Sequence, residues 1–255
     1  MELDRPLLKS RAKELIRRSR PSVLACGALY LIIVLVLSNL AARALSVNVT
    51  MDKLRYLQEH LMSGNPDIDY LYALTESMQP PTSAYGIKML LDFSAQLVGV
   101  GYTIFLLNTI RRNDPSFGNL LDGFTMLPRV LLLTVLESLI VGLLSLLLIV
   151  PGIIASYRYR MAIYLLIDHP EMSTVQCMRE SARMMKGHKM ELFVLDLSFF
   201  GWVLLTGIPG IGTVLQLWTI PYMNLVFCLY YECLRGAPVL YDTAVINEDN
   251  SYDSF

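Results

Sequence analysis

Five apolar stretches limit what this chain can fold into. "SVLACGALYLIIVLVLSNLAARAL" at 22–45, the run 87–110, "VLLLTVLESLIVGLLSLLLIV" at 130–150, "FVLDLSFFGWVLLTGI" at 193–208 and the run 210–231 approach or reach the length of about 20 residues that spans hydrocarbon. Composition points the same way: 54% of residues are hydrophobic and 17% charged, where soluble domains have roughly 45–50% and about 25%. Mean hydropathy is +0.48. The fold class expected is all-α, a polytopic transmembrane helical bundle.

The number of spans depends on one run. Leu131 to Leu166 is too long for one crossing, and Pro151-Gly152 is a natural break, so the run divides into 126–150 and 153–168 and the total becomes six. The second of that pair, about 16 residues and roughly 24 Å at 1.5 Å per residue, is short for a full crossing. The first 21 residues carry Arg5, Lys9, Arg11, Lys13, Arg17, Arg18 and Arg20; Arg111 and Arg112 follow the second run; Arg179, Arg183, Lys186 and Lys189 lie between the fourth and fifth. The loop 47–83 is mainly acidic, with Lys53 and Arg55 against Asp52, Glu59, Asp67, Asp69 and Glu76. Basic residues concentrate in cytoplasmic loops, so both termini and 171–189 are expected in the cytoplasm and 47–83 outside. The first apolar run is too long for a cleavable signal and reads as an anchor. Cys26, Cys177, Cys228 and Cys233 include no C-x-x-C pair, so neither a disulfide nor zinc is expected.

Short amphipathic segments precede the apolar pairs. In "DRPLLKSRAKELIRRSRP", Leu8, Ala12 and Leu15 fall at helical spacing among bases. In "STVQCMRESARMMKGHK", Ser173 and Gln176 form a capping box, Val175, Met178, Ala182 and Met185 form an apolar stripe, and Gly187 ends the helix. The likeness of "AKELIRRSR" to "ARMMKGHK" and of "VPGII" to "IPGIG" suggests three hairpin repeats, 1–110, 111–170 and 171–236, within one integral membrane domain, 1–236. In 47–83 two further amphipathic helices are expected, and the acidic, aperiodic 237–255 reads as a disordered tail.

"AKELIRR", "VPGIIASYRYRMAIYLL", "SARMMKGHKMELFVLDLSFFGW" and "GIG…PYMNLVFCLYYE" together resemble the bacterial integral membrane family filed as domain of unknown function 975, common in Gram-positive bacteria. The resemblance covers about residues 5–235. It implies a helical fold in the bacterial cytoplasmic membrane. Through a distant similarity to the membrane domain found beside some glycerophosphodiester phosphodiesterases, it also implies a lipid connection. It supplies no activity.

Ionisable residues within the apolar runs are the candidates for function: Lys88, Asp92, Glu137, Arg158, Arg160 and Asp196, with Gln96 on the same helical face as Lys88 and Asp92. A charge near the centre of a span costs about 2.5–3.5 kcal/mol, so each needs a partner, water or a route to the surface. Arg158 and Arg160 are expected to be internal. Three readings stay open for them: salt bridges to Glu137 and Asp196 that fix helix register, contacts to an anion or lipid headgroup, and simple snorkelling. Arg179, Arg183, Lys186 and Lys189 are candidates for anionic-lipid contact, each base near an anionic leaflet being worth about 1 kcal/mol.

Enzyme signatures are missing from the sequence. His60, His169 and His188 are scattered, with no H-E-x-x-H, no G-x-S-x-G and no phosphate-cradling glycine loop. The expectation is a non-enzymatic, lipid-interacting or scaffold component without cofactors. Its partners would be membrane phospholipids, anionic ones included, and a membrane protein or a second copy of itself, with no nucleic acid. The alternative is a small transporter or channel using the Lys88–Asp92 stripe and the two arginines.

Overall fold

The computed structural model describes residues 5–45, 55, 58–59, 68, 72, 75–76, 79–208 and 210–237. The helices expected in 47–83, the tail beyond 237 and Pro209 of "IPGIG" fall largely outside them. The described helices, numbered in chain order, are α1 (Arg5–Arg18), α2 (Val23–Ala44), α3 (Thr82–Arg111), α4 (Asn119–Asp122), α5 (Leu127–Leu147), α6 (Ile149–Tyr159), α7 (Ala162–Asp168), α8 (Thr174–Met184), α9 (Lys189–Thr206) and α10 (Ile211–Leu234). Among the described residues there is no strand. Two compact units form, one of Ile32–Gln96 and the other of Met1–Leu31 with Leu97–Phe255.

Four helical stretches have the length and apolarity of a membrane crossing: Val23–Ala44, Thr82–Arg111, Asn119–Leu147 and Gly212–Leu234. The expected six are not all of this kind. The run 153–168 is broken between Tyr159 and Ala162, and the eighteen residues of α9 include Lys189, Glu191 and Asp196. The break expected at Pro151-Gly152 lies three residues earlier, at Leu148, whose backbone is extended (φ −156°, ψ 137°). The reason is steric. A proline ring collides with the carbonyl four residues before it, here Leu147, the last residue of α5, whereas Pro151 itself is tolerated in the first turn of α6, where N–H groups have no helical acceptor.

α5 and α6 then cross as a tight hairpin. A Cβ on Gly152 would lie 2.9 Å from Ser145 Cα, inside ordinary contact distance, so only glycine permits this approach. The core of the larger unit is aromatic and aliphatic. Tyr102, Phe105, Leu106, Phe199, Leu225, Leu229, Tyr230 and Tyr231 are almost fully buried. Tyr30 stacks on Tyr102 with centroids 4.9 Å apart, and Tyr164 on Tyr231 at 5.0 Å.

α1 and α8, expected as interfacial helices, dock on this core. α1 buries Leu8, Arg11, Ala12 and Ile16 and packs on α10. α8 begins with the expected capping box: Ser173 Oγ accepts from the Gln176 N–H at 3.3 Å, and Gln176 Oε1 accepts from the Ser173 N–H at 2.7 Å. Its buried face is Thr174, Cys177, Met178 and Ser181, continued by Met185, while Val175 of the expected stripe is exposed. The helix is rotated from its sequence-based register because Ser181 is drawn inward by the broken α6–α7 backbone.

Candidate functional site

Ser181 closes the break. Its hydroxyl donates to the Arg158 carbonyl at 3.0 Å and accepts from the Met161 N–H at 3.2 Å, so one buried side chain satisfies a donor and an acceptor freed where the helix stops. This fixes α8 against α6. It also places Arg158 and Arg160 at a helix terminus rather than inside a helix, and both are exposed, not internal as expected. Each guanidinium lies near an aromatic ring: Arg158 is 5.7 Å from the centroid of Tyr159, and Arg160 is 5.2 Å from that of Phe227. Neither makes an ion pair within 4.0 Å among the described residues. Asp196 is instead held by Tyr157, whose hydroxyl donates to it at 2.8 Å. Glu137 has Arg160 in electrostatic range without contact.

The remaining candidates divide in the same manner. Lys88 forms an ion pair with Asp92 one turn along α3, so that charge is balanced within its own helix, with Gln96 one turn further on. On α8 Arg183 is bound by Glu180, through its Nε at 2.9 Å. Arg179, Lys186 and Lys189 have no acidic partner within 4.0 Å among the described residues. Arg179 and Arg158 both line a crevice of about 260 Å³ between α5, α6 and α8. The walls are apolar: Leu136 and Ile140 from α5, and Val175, Met178 and Ala182 from α8. Two uncompensated guanidinium groups on an apolar crevice are suited to a ligand with an anionic head and an apolar body.

A second charged group lies outside the sequence candidates. Arg111, the last residue of α3, donates through Nη1 and Nη2 to the two oxygens of Asp168 at 2.7 Å each, and through Nε to Glu232 at 2.8 Å. Arg235 and the Tyr231 hydroxyl both reach Asp168 Oδ2 at 2.7 Å. Two acids meet two bases, so the cluster is balanced and ties the ends of α3, α7 and α10 together. Asp168 lies outside the four membrane-length helices. Burial alone would raise its pKa, but hydrogen bonds from Arg111 and Tyr231 and the two guanidinium charges hold it below the ordinary carboxylate value. Opposite charges just beyond the ends of apolar runs were the available signal.

The family model for protein of unknown function (DUF975) matches residues 5–237. The chain belongs to this family. No curated protein and no solved structure matches it. Among the described residues of this DUF975 chain, no group of three or more His, Cys, Asp or Glu is placed to hold a metal ion. Around α8 this DUF975 chain brings cationic and apolar surface together.

Proposed function

We propose that the protein is a non-enzymatic component of the bacterial cytoplasmic membrane that holds anionic phospholipid in the crevice between α5, α6 and α8. One observation carries this reading: Arg158 and Arg179 converge on that crevice without an acid, between walls of Leu136, Ile140 and Val175. A phosphate would take the two guanidinium groups and an acyl chain the apolar walls. The self-contained Lys88–Asp92 pair favours this reading over a conducting pathway. The basic residues of α1 and α8 would face the cytoplasm with both termini, so a cysteine at Ser251 should be shielded from an impermeant reagent in intact cells and one at Ser63 should react.

Lipid retention tests the proposal. The protein is purified in mild detergent and its bound anionic and zwitterionic phospholipids are quantified by mass spectrometry. At about 1 kcal/mol per base, Arg158→Gln with Arg179→Gln should lower the anionic preference of this crevice by roughly thirtyfold. Arg183→Gln, at a base already bound by Glu180, should change it little. Equal anionic retention in the wild type and the double variant would sink the reading.

A further inference from the structure

We propose that the crevice between α1, α9 and α10 binds a phospholipid of the diphosphatidylglycerol class, with two phosphodiesters joined by one glycerol. The site shares no residue with the α8 crevice and stands on its own geometry.

Lys9, Lys13 and Arg17 line one side of a cavity of about 470 Å³. They sit at i, i+4 and i+8 on α1, so they form one row about 12 Å long. No carboxylate is among the residues lining it. The partners of Lys9 are neutral: its ammonium donates to Ser198 Oγ at 2.8 Å and lies 4.9 Å from the Phe199 ring centroid. Burial, then the positive charges of Arg5 and Lys13, hold Lys9 below the usual lysine pKa.

The opposite wall is aromatic. Trp202 of α9 is 48% exposed and Trp218 of α10 41%, and Trp218 stacks on Tyr222 with centroids 6.4 Å apart. Thr219 of α10 is a further polar residue at the cavity. It lines the cavity, is only 3% exposed, and its hydroxyl has no hydrogen-bond partner. Threonines inside helices usually donate to the carbonyl four residues back, as Thr103 and Thr109 do here, but Thr219 does not.

Position along the bundle selects the ligand. Tyr230 donates to the His188 carbonyl at 3.1 Å where α9 begins, and Tyr222 lies eight residues before it on α10, about 12 Å from that end. The cavity wall therefore runs along the apolar flank, where a free phosphate would leave the aromatic wall bare. A single phosphodiester brings one negative charge and leaves two of the three bases uncompensated. Two phosphodiesters on a glycerol distribute two negative charges along it and direct acyl chains over Trp202 and Trp218.

The test uses the full chain in mild detergent, with cardiolipin and phosphatidylglycerol offered at equal total phosphate and retention read by native mass spectrometry. The wild type should prefer cardiolipin at least tenfold. Lys9→Gln, Lys13→Gln and Arg17→Gln combined should abolish that preference, at about fivefold per base. Thr219→Val, nearly isosteric, should weaken it severalfold without lowering thermal stability in lipid-free detergent, and it serves with Lys13→Gln alone if the triple variant fails to fold. Arg158→Gln with Arg179→Gln should leave the preference intact even if it removes other anionic lipid. Equal retention of the two lipids by the wild type, or wild-type preference in the folded triple variant, overturns the assignment. Loss of preference in the Arg158/Arg179 variant alone would transfer the lipid to the α8 crevice and overturn it as well.

Discussion

Arg111 and Asp168 meet through two parallel hydrogen bonds of 2.7 Å across 57 residues of sequence. The same guanidinium holds Glu232, and the two acid side chains are only 5% and 3% exposed. Removing the base would leave two buried carboxylates to share the single guanidinium of Arg235, which lies 2.7 Å from Asp168 and 3.6 Å from Glu232. Arg111→Met should therefore destabilise the protein by about 3–5 kcal/mol, measured by denaturant titration in detergent. Arg111→Lys should recover only part, because an ammonium cannot reproduce the forked geometry. A loss under 1 kcal/mol in Arg111→Met would show that the cluster contributes little.

Acid should loosen the same junction. Asp168 has a folded-state pKa below its unfolded value of about 3.9, so it binds fewer protons when folded. Its contribution is fully present above that unfolded value and is lost as pH falls through the depressed one. Thermal stability should decline below about pH 4 more steeply in the wild type than in Asp168→Asn, and parallel curves would exclude Asp168 as the titrating group.

Ser181→Ala tests how α8 is held. The change leaves the Met161 N–H and Arg158 carbonyl without their partner, at a cost of about 1–3 kcal/mol. Cys177 offers a second readout. It is fully buried, and burial pushes its thiol pKa up against the opposing charge of Arg129. In a variant retaining Cys177 as its sole cysteine, maleimide labelling should be slow and should accelerate several-fold with Ser181→Ala. Fast labelling in the parent would mean that α8 lies free on the membrane surface.

Glycines provide a matched pair of expectations. A Cβ on Gly101 would lie 2.5 Å from the Leu120 carbonyl carbon, so Gly101→Ala must displace backbone and should lower the yield of folded protein sharply. Gly142 has nothing within 4 Å of such a Cβ, and Gly142→Ala should be neutral or stabilising by up to about 1 kcal/mol. Equal effects at the two positions would contradict the α3–α4 approach.

Apolar length announced the bundle, because twenty-residue runs carry their own meaning. The capping box of α8 was equally legible, since Ser173 and Gln176 act locally. What escaped was everything set by contacts between distant segments. Arg158 and Arg160 read as internal charges only if 153–168 is one helix, and their exposure follows from a break that Ser181 stabilises from 20 residues away. The charge face of α8 looked uniform until Glu180 claimed Arg183. Thr219 carried no sequence signal, because its significance is a missing partner.

Two uncharged stretches in the C-terminal half have a consequence for membrane insertion. From Ser138 to Tyr157, and again from Leu197 to Tyr231, the chain contains no Asp, Glu, Lys, Arg or His. Either stretch can enter hydrocarbon without carrying a formal charge into it, avoiding about 2.5–3.5 kcal/mol per charged residue. The segment 47–83, with Asp52, Lys53, Arg55, Glu59, Asp67, Asp69 and Glu76, has no such freedom. Moving that one segment through hydrocarbon would carry seven formal charges, whereas the two uncharged stretches carry none.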